Sequence, residues 1–242
     1  MFERALAVLA IVVCSTGAFG QKGPGATLEQ IDRDDFCVTN GAVLRLPSGR
    51  LAVEAASSRA VLRASSGQAP DQVAEIRFRY MGSSQTTKPL ASGELRRQIG
   101  LKLRAEDTCN LIYVMWHIEP DSRIAVSIKH NAGMHTHEQC GAGGYRNIKA
   151  PRHLDLPAIR PGEAHTLRAE LRRNDLTVTA DGKVAWQGTL GNDTPSLIGP
   201  TGFRTDNARF EFDYYTDRST KTRLQAQRAE PGPGHCAMSE GD

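Results

Sequence analysis

Two residues able to move protons, Tyr113 and His117, stand in the apolar run LIYVMWHI. In an extended chain alternate side chains share a face, so both would look the same way. Gln98, Lys102 and Arg104 lie in a second alternating segment and are groups that neutralise a carboxylate placed beside them. Together they suit proton abstraction next to an acid group, and equally they suit a hydrogen-bonded core or a binding surface. Tyr145 and Arg146, in the Gly-rich stretch GAGGYRN, add an aromatic face and a guanidinium. Arg204, Asp206 and Asn207, in GFRTDNARF, add planar polar groups at a corner. Exposed rings that stack on pyranose faces, flanked by such polar groups, are what sugar recognition needs. Trp116 and Trp186 are further platforms, but with aromatics at 6% most rings are required for the core.

Metal and acid chemistry are less well supported. HNAGMHTH carries His130, His135 and His137, and alternating histidines such as His135 and His137 can share a zinc ion if extended. The competing reading is a polar surface loop. Asp206 and Asn207 could offer oxygens to calcium, or hydrogen-bond their own turn. The expectation is no cofactor. Glu211 and Asp213 place two carboxylates on one face of a strand, the arrangement of a glycosidase. Because they alternate with Phe210, Phe212 and Tyr214, they read instead as that strand's solvent face.

The elements that must position these groups are strands. His165–Leu171, Leu176–Ala180, Val73–Tyr80 and Gln98–Arg104 all alternate polar and apolar residues. Asp181-Gly182 supplies a two-residue hairpin turn. Asn110–Ile118 is apolar on both faces, which predicts a central strand covered on both sides. No helix longer than about two turns is expected, and Asn131–Ile159 reads as a long loop. The fold class is therefore all-β, a two-sheet antiparallel sandwich.

Residues 1–20 read as a secretory signal: Arg4, then the apolar run from Ala5 to Val13, then the small-residue site Ala18-Phe19-Gly20. Residues 21–35 read as a flexible lead, 36–217 as the sandwich, and 218–242 as a polar tail. No segment reads as a membrane span. Of the five cysteines, Cys14 falls in the leader, leaving Cys37, Cys109, Cys140 and Cys236. In a secreted chain this implies two disulfides, with three connectivities open. Cys37–Cys236, joining the chain ends, and Cys109–Cys140, pinning the long loop, are preferred. With 30 basic against 27 acidic side chains the net charge is +3, too small a surplus to suggest nucleic acid. Arg96-Arg97 and Arg172-Arg173 read as solvated strand edges.

The last third of the chain resembles the concanavalin A-like lectin/glucanase superfamily, which includes laminin G-like domains. The likeness is carried by Gly162-Glu163-Ala164-His165-Thr166-Leu167, by Leu176-Thr177-Val178 leading to Asp181-Gly182-Lys183, by Trp186-Gln187-Gly188 and by Gly199-Pro200-Thr201-Gly202-Phe203. It implies a jelly roll with ligands on a concave face or loop rim, and a range of activities from carbohydrate binding to cleavage and protein binding. The glucanase Glu-x-Asp-x-x-Glu motif is absent. Glu94-Leu95-Arg96 and Gln98-Ile99-Gly100 bear a partial likeness to alginate lyase signatures, but Gly100 replaces a histidine and the Tyr-Phe-Lys motif is missing.

The expectation is a secreted or periplasmic lectin-like domain that binds a carbohydrate or polysaccharide without catalysis, through Tyr113, His117, Tyr145, Arg146, Arg204, Asp206 and Asn207. The alternative is a polysaccharide lyase using Tyr113 and His117 with Gln98, Lys102 and Arg104. A third reading is an envelope interaction domain. Oligomeric state is not legible.

Overall fold

The computed structural model describes residues 27–63, 71–191 and 194–229. In chain order the strands are β1 (Leu28–Ile31), β2 (Phe36–Asn40), β3 (Leu44–Arg45), β4 (Leu51–Val53), β5 (Ser57–Leu62), β6 (Gln72–Ser83), β7 (Arg97–Leu103) and β8 (Leu111–Glu119). They continue with β9 (Arg123–Lys129), β10 (Tyr145–Ile148), β11 (Arg152–His153), β12 (Ala164–Arg172), β13 (Asp175–Ala180), β14 (Lys183–Thr189), β15 (Gly202–Asp206) and β16 (Ala208–Asp217). A short helix α1 (His137–Cys140) precedes β10, and α2 (Arg218–Ala229) follows β16.

The strands pair antiparallel into two sheets, so the chain is an all-β sandwich. One sheet has nine strands in the order β11-β14-β13-β12-β6-β16-β4-β3, with β1 added against β16; the other has seven, β10-β9-β8-β7-β15-β5-β2. Their inner faces meet in one core. Phe78 packs edge-on against Trp116 at 5.6 Å, and Phe203 against Phe212 at 4.9 Å. Such perpendicular ring contacts match the positive edge of one ring to the negative face of the next. Trp116, expected as a possible platform, is fully buried in this core.

The alternation reads directly into the sheets. β16 alternates buried and half-buried residues along its whole length, with Phe210, Phe212 and Tyr214 inward. Glu211 and Asp213 face out, where Arg50 pairs with both at 3.4 Å. Asp181 and Gly182 both adopt positive φ, 49° and 76°, as a tight hairpin between β13 and β14 demands. Every residue of β8 from Leu111 to Ile118 is buried, as its two-sided apolar pattern implied.

Three segments differ from the sequence expectation, and the first is Asn131–Ile159, expected as a long loop, which carries α1, β10 and β11. The lead predicted loose over 21–35 is structured from Leu28 on: β1 pairs with β16, Leu28 opposite Asp217. The tail is helical through three turns, against the expectation of no such helix. Its start is held by Asp217, whose Oδ1 accepts the Thr220 N–H at 3.0 Å. Among its described side chains it docks through buried Leu224, through Arg218 to Glu29 at 3.0 Å, and through Lys221, which reaches Asp32 and Asp35. A helix anchored by one leucine lacks the repeating apolar stripe that periodicity detects.

Cys109 and Cys140 form a disulfide, tying α1 to the start of β8. Cys37 is also disulfide-bonded. Cys236 lies outside the described residues, as does the leader at 1–20.

Candidate functional site

The seven-stranded sheet has one face on the core and one turned outward, and the register decides what that outer face presents. Gln98 of β7 stands opposite His117 of β8, and His117 opposite Arg123 of β9. Gly100 stands between Met115 of β8 and Arg204 of β15. Tyr113 stands opposite Ser127, which in turn stands opposite Asn147 of β10. These side chains line a groove of about 960 Å³. Tyr145 closes one side, and the loop through Leu90 and Ala91 borders another.

Gly100 is buried beneath the groove, and its missing side chain makes room for Met115, which does line it. A Cβ there would lie 2.3 Å from the Val114 carbonyl oxygen and 2.5 Å from Met115 Sδ. The histidine that a lyase motif would put at this place has no room.

Arg204, Tyr113 and Tyr145 follow one another along one wall. The Arg204 guanidinium lies 5.3 Å from the Tyr113 ring centre. The Tyr113 and Tyr145 rings stack 6.1 Å apart and 21° from parallel. The buried Lys129 Nζ lies 5.3 Å from the Tyr145 ring centre. Cations over ring faces are held by the ring quadrupole, which fixes both tyrosines. Tyr113 is buried, whereas Tyr145 is 45% exposed and presents the wet face of the stack.

Below this wall Asp206 is committed. It accepts from Gln98 Nε2 at 2.6 Å and from Arg204 Nε at 2.7 Å, and Arg204 Nη2 reaches its other oxygen at 3.3 Å. Burial would lower the Arg204 pKa, but Asp206, Tyr113 and Tyr145 outweigh it and hold the guanidinium above its ordinary value.

His117 meets the opposite environment. Its pKa is pushed down to about 3, first by burial and then by the positive charges of Arg96, Arg123 and Arg204. The imidazole is therefore neutral at physiological pH. Arg96 Nη1 lies 3.3 Å from His117 Nε2. A guanidinium can only donate, so Nε2 is the acceptor and Nδ1 carries the proton. Arg96 itself is lowered, first by burial and then by Arg123 and Arg204.

Of the residues singled out from sequence, Gln98, Tyr113, His117, Tyr145 and Arg204 meet in this groove. Trp186 also touches it, though it is almost fully buried, and the others do not line it. Lys102 shares the outer face of β7 but is fully buried. Arg104 ends the strand at φ 44°, and its guanidinium donates to the carbonyls of Thr194 and Arg173 at 2.7 and 2.6 Å. Asn207, at φ 56°, is a structural clamp and not a hydroxyl reader. Its Oδ1 accepts the Lys88 N–H at 2.7 Å, and its Nδ2 donates to the carbonyls of Lys88 and Arg96. Arg146 follows Tyr145 on β10 and is exposed outside the groove.

His130, His135 and His137 do not converge on one point. His135 Nδ1 is 2.7 Å from Asp107 Oδ2, and His137 begins α1. Among the described residues no group of three or more His, Cys, Asp or Glu is placed to hold a metal ion.

Sequence reasoning missed Arg96 and Arg123. Arg96, read as a solvated strand edge, lies in the groove with its side chain 20% exposed and paired to Glu94. Its neighbour Arg97 pairs instead with Glu119. The available signal was register: if Gln98 faces His117, the residues entering β7 and β9 must flank that histidine.

No family model matches this sequence, and no curated protein matches it. Solved structures do. The carbohydrate-binding module CBM66 from Bacillus subtilis superposes with a TM-score of 0.52 at 13% identity, covering 74% of this chain and 91% of that one. A point mutant of the Emp46p carbohydrate recognition domain gives 0.49 at 15% identity, covering 76% and 88%. The chain therefore shares its β-sandwich fold with a carbohydrate-binding module. Fold at this identity does not carry the ligand with it.

Proposed function

We propose that the groove binds carbohydrate, on a concanavalin A-like jelly roll that the reading of residues 1–20 sends out of the cytoplasm. The observation that carries this is the groove itself: about 960 Å³ running from the outer face of the seven-stranded sheet past β9 and β10 to Ala185 and Trp186 of β14, with Tyr145 presenting a ring and Gln98, His117 and Asn147 presenting polar groups. An apolar face for a sugar ring beside convergent hydrogen-bonding groups is the general form of such sites. The shared fold with a carbohydrate-binding module is consistent with it.

Binding is favoured over cleavage by two features. Tyr113 and His117 are four residues apart on one strand, roughly 13 Å at 3.3 Å per residue, too far to serve one sugar carbon and its glycosidic oxygen together. The His117 lone pair is also engaged by Arg96, and its low pKa makes it a poor base.

A glycan array tests the reading. Wild-type protein is expected to bind a defined subset of glycans, and Tyr145→Ala to lose at least tenfold in affinity with an unchanged thermal midpoint. Binding that survives Tyr145→Ala would remove the groove from the account. New absorbance from unsaturated sugar products would replace binding with a lyase.

A further inference from the structure

We infer that the sugar this groove takes is anionic, carrying a carboxylate or sulfate that sits among Arg96, Arg123 and Arg204. The inference rests on the carbohydrate reading above and narrows it to a ligand class.

The charge balance of the groove differs from that of the chain. Overall, 30 basic residues face 27 acidic ones. Of the charged residues lining the groove, Arg96, Arg123, Lys149 and Arg204 are cationic and Asp155 alone is anionic. Asp206 beneath the wall offsets Arg204, and Glu94 at the rim offsets part of Arg96. His117 adds no charge at neutral pH and instead presents a lone pair to Arg96. A cationic surplus therefore remains around His117, supplied from three separate stretches of chain: the approach to β7, the start of β9, and β15.

That surplus has a cost in the unliganded protein. Arg123 and Arg204 each oppose the charge on Arg96, and all three oppose protonation of His117. Like charges in a half-buried groove repel more strongly than in water. An anion seated among them relieves the repulsion and gains charge-assisted hydrogen bonds, which guanidinium groups make well to carboxylate and sulfate oxygens. The groups are also left in a state to do so. Asp206 takes Nε and Nη2 of Arg204, so Nη1 is not part of that pairing. Arg123 is exposed at the groove wall. Tyr145 lies on the same groove, where a pyranose ring can stack while its acid group reaches the arginines.

A neutral sugar would leave the like charges of Arg96, Arg123 and Arg204 unrelieved. The His117 Nε2 and the Asp206 oxygens are already engaged, while Gln98 Oε1 beside them is buried without a partner among the described residues.

The test is an array of matched pairs: uronate polymers beside their methyl esters, and sulfated glycans beside their desulfated forms, with a single-stranded DNA of similar charge. The expected result is binding to acidic members only, at least tenfold over the neutral partner, and weakening as salt rises. The uronate and sulfate arms separate the two sources of charge. Arg123→Gln is expected to lose at least tenfold, and Lys183→Gln, a cation on the β13–β14 hairpin, to bind as wild type with an unchanged urea midpoint. Equal binding of ester and acid overturns the charge inference and leaves the carbohydrate reading standing. Equal binding of the DNA overturns it too, since charge alone would then suffice. No binding to any glycan overturns the carbohydrate reading itself.

Discussion

His117 makes the groove's electrostatics measurable without a ligand. Its neighbours are Gln98 on β7, Arg123 on β9, Arg96 on the approach to β7, and Arg204 with Asp206 on β15. Burial and three cations hold its pKa near 3, while in the unfolded chain it returns to about 6.5. Between those values the unfolded chain takes up a proton that the native protein refuses. Stability contributed by the neutral imidazole is therefore full above pH 6.5 and is lost as pH falls toward 3. At 1.36 kcal/mol per unit, the whole window is worth about 5 kcal/mol, of which about 2 kcal/mol falls between pH 7 and pH 5. His117→Gln keeps an acceptor facing Arg96 and does not titrate. Urea unfolding at the two pH values should show wild type losing about 2 kcal/mol more than His117→Gln. The His117 imidazole resonance, identified by its absence from the variant, should stay flat down to pH 4. Equal losses in the two proteins, or a resonance that titrates near 6.5, would refute the buried, arginine-ringed environment.

Asn207→Ala removes three hydrogen bonds that clamp the 84–96 loop and leaves a β-carbon residue at positive φ, so about 3 kcal/mol of stability should go. Limited proteolysis should then cut that loop first, and Asn207→Gly should recover only the backbone share, about 1 kcal/mol. Gly100→Ala drives a methyl into the Val114 carbonyl at the sheet centre and should cost about 3 kcal/mol in thermal or urea denaturation. Gly49→Ala, which meets nothing within 4 Å but sits at φ 85°, should cost only about 1 kcal/mol. Replacing both Cys109 and Cys140 with Ser opens a crosslink spanning 31 residues and should cost roughly 3.5 kcal/mol in the urea midpoint on the loop-entropy account.

The sheets were legible because burial imposes a period of two on half-buried strands, as in β12, β13, β16 and the Ile76–Tyr80 part of β6, while β7 alternates in residue type although both its faces are buried. The Asp181-Gly182 turn was legible because positive φ restricts the residues that fit. Helix α2 was not, since a single buried leucine and ion pairs to Asp32 and Asp35 leave no periodic trace. Asn207 was misread for a related reason. Its side chain fits a sugar hydroxyl or a loop carbonyl equally well, and only the loop's path decides. Arg104 faced the same ambiguity, and its positive φ at the strand end turned it away from the groove.

The arginine cluster could be found only after register was known, and that bears on why it exists. Arg96, Arg123 and Arg204 are far apart in sequence, so no charge run marks them. They meet because β8 and β15 flank β7 and β9 follows β8 in the sheet order. A sheet needs none of them for packing: the core side of β7, β8 and β15 is already complete with Ile99, Leu101, Val114, Trp116 and Phe203. On the outer face a chain free to minimise repulsion would intersperse signs, as the opposite sheet does where Arg50 meets Glu211 and Asp213, and Arg168 meets Glu75 and Glu170. The groove face pairs Arg204 with Asp206 and Arg96 with Glu94, yet Arg123 and Lys149 leave it a cationic surplus over Asp155. That surplus, and not an unpaired cluster, is what the matched acidic and neutral glycans probe.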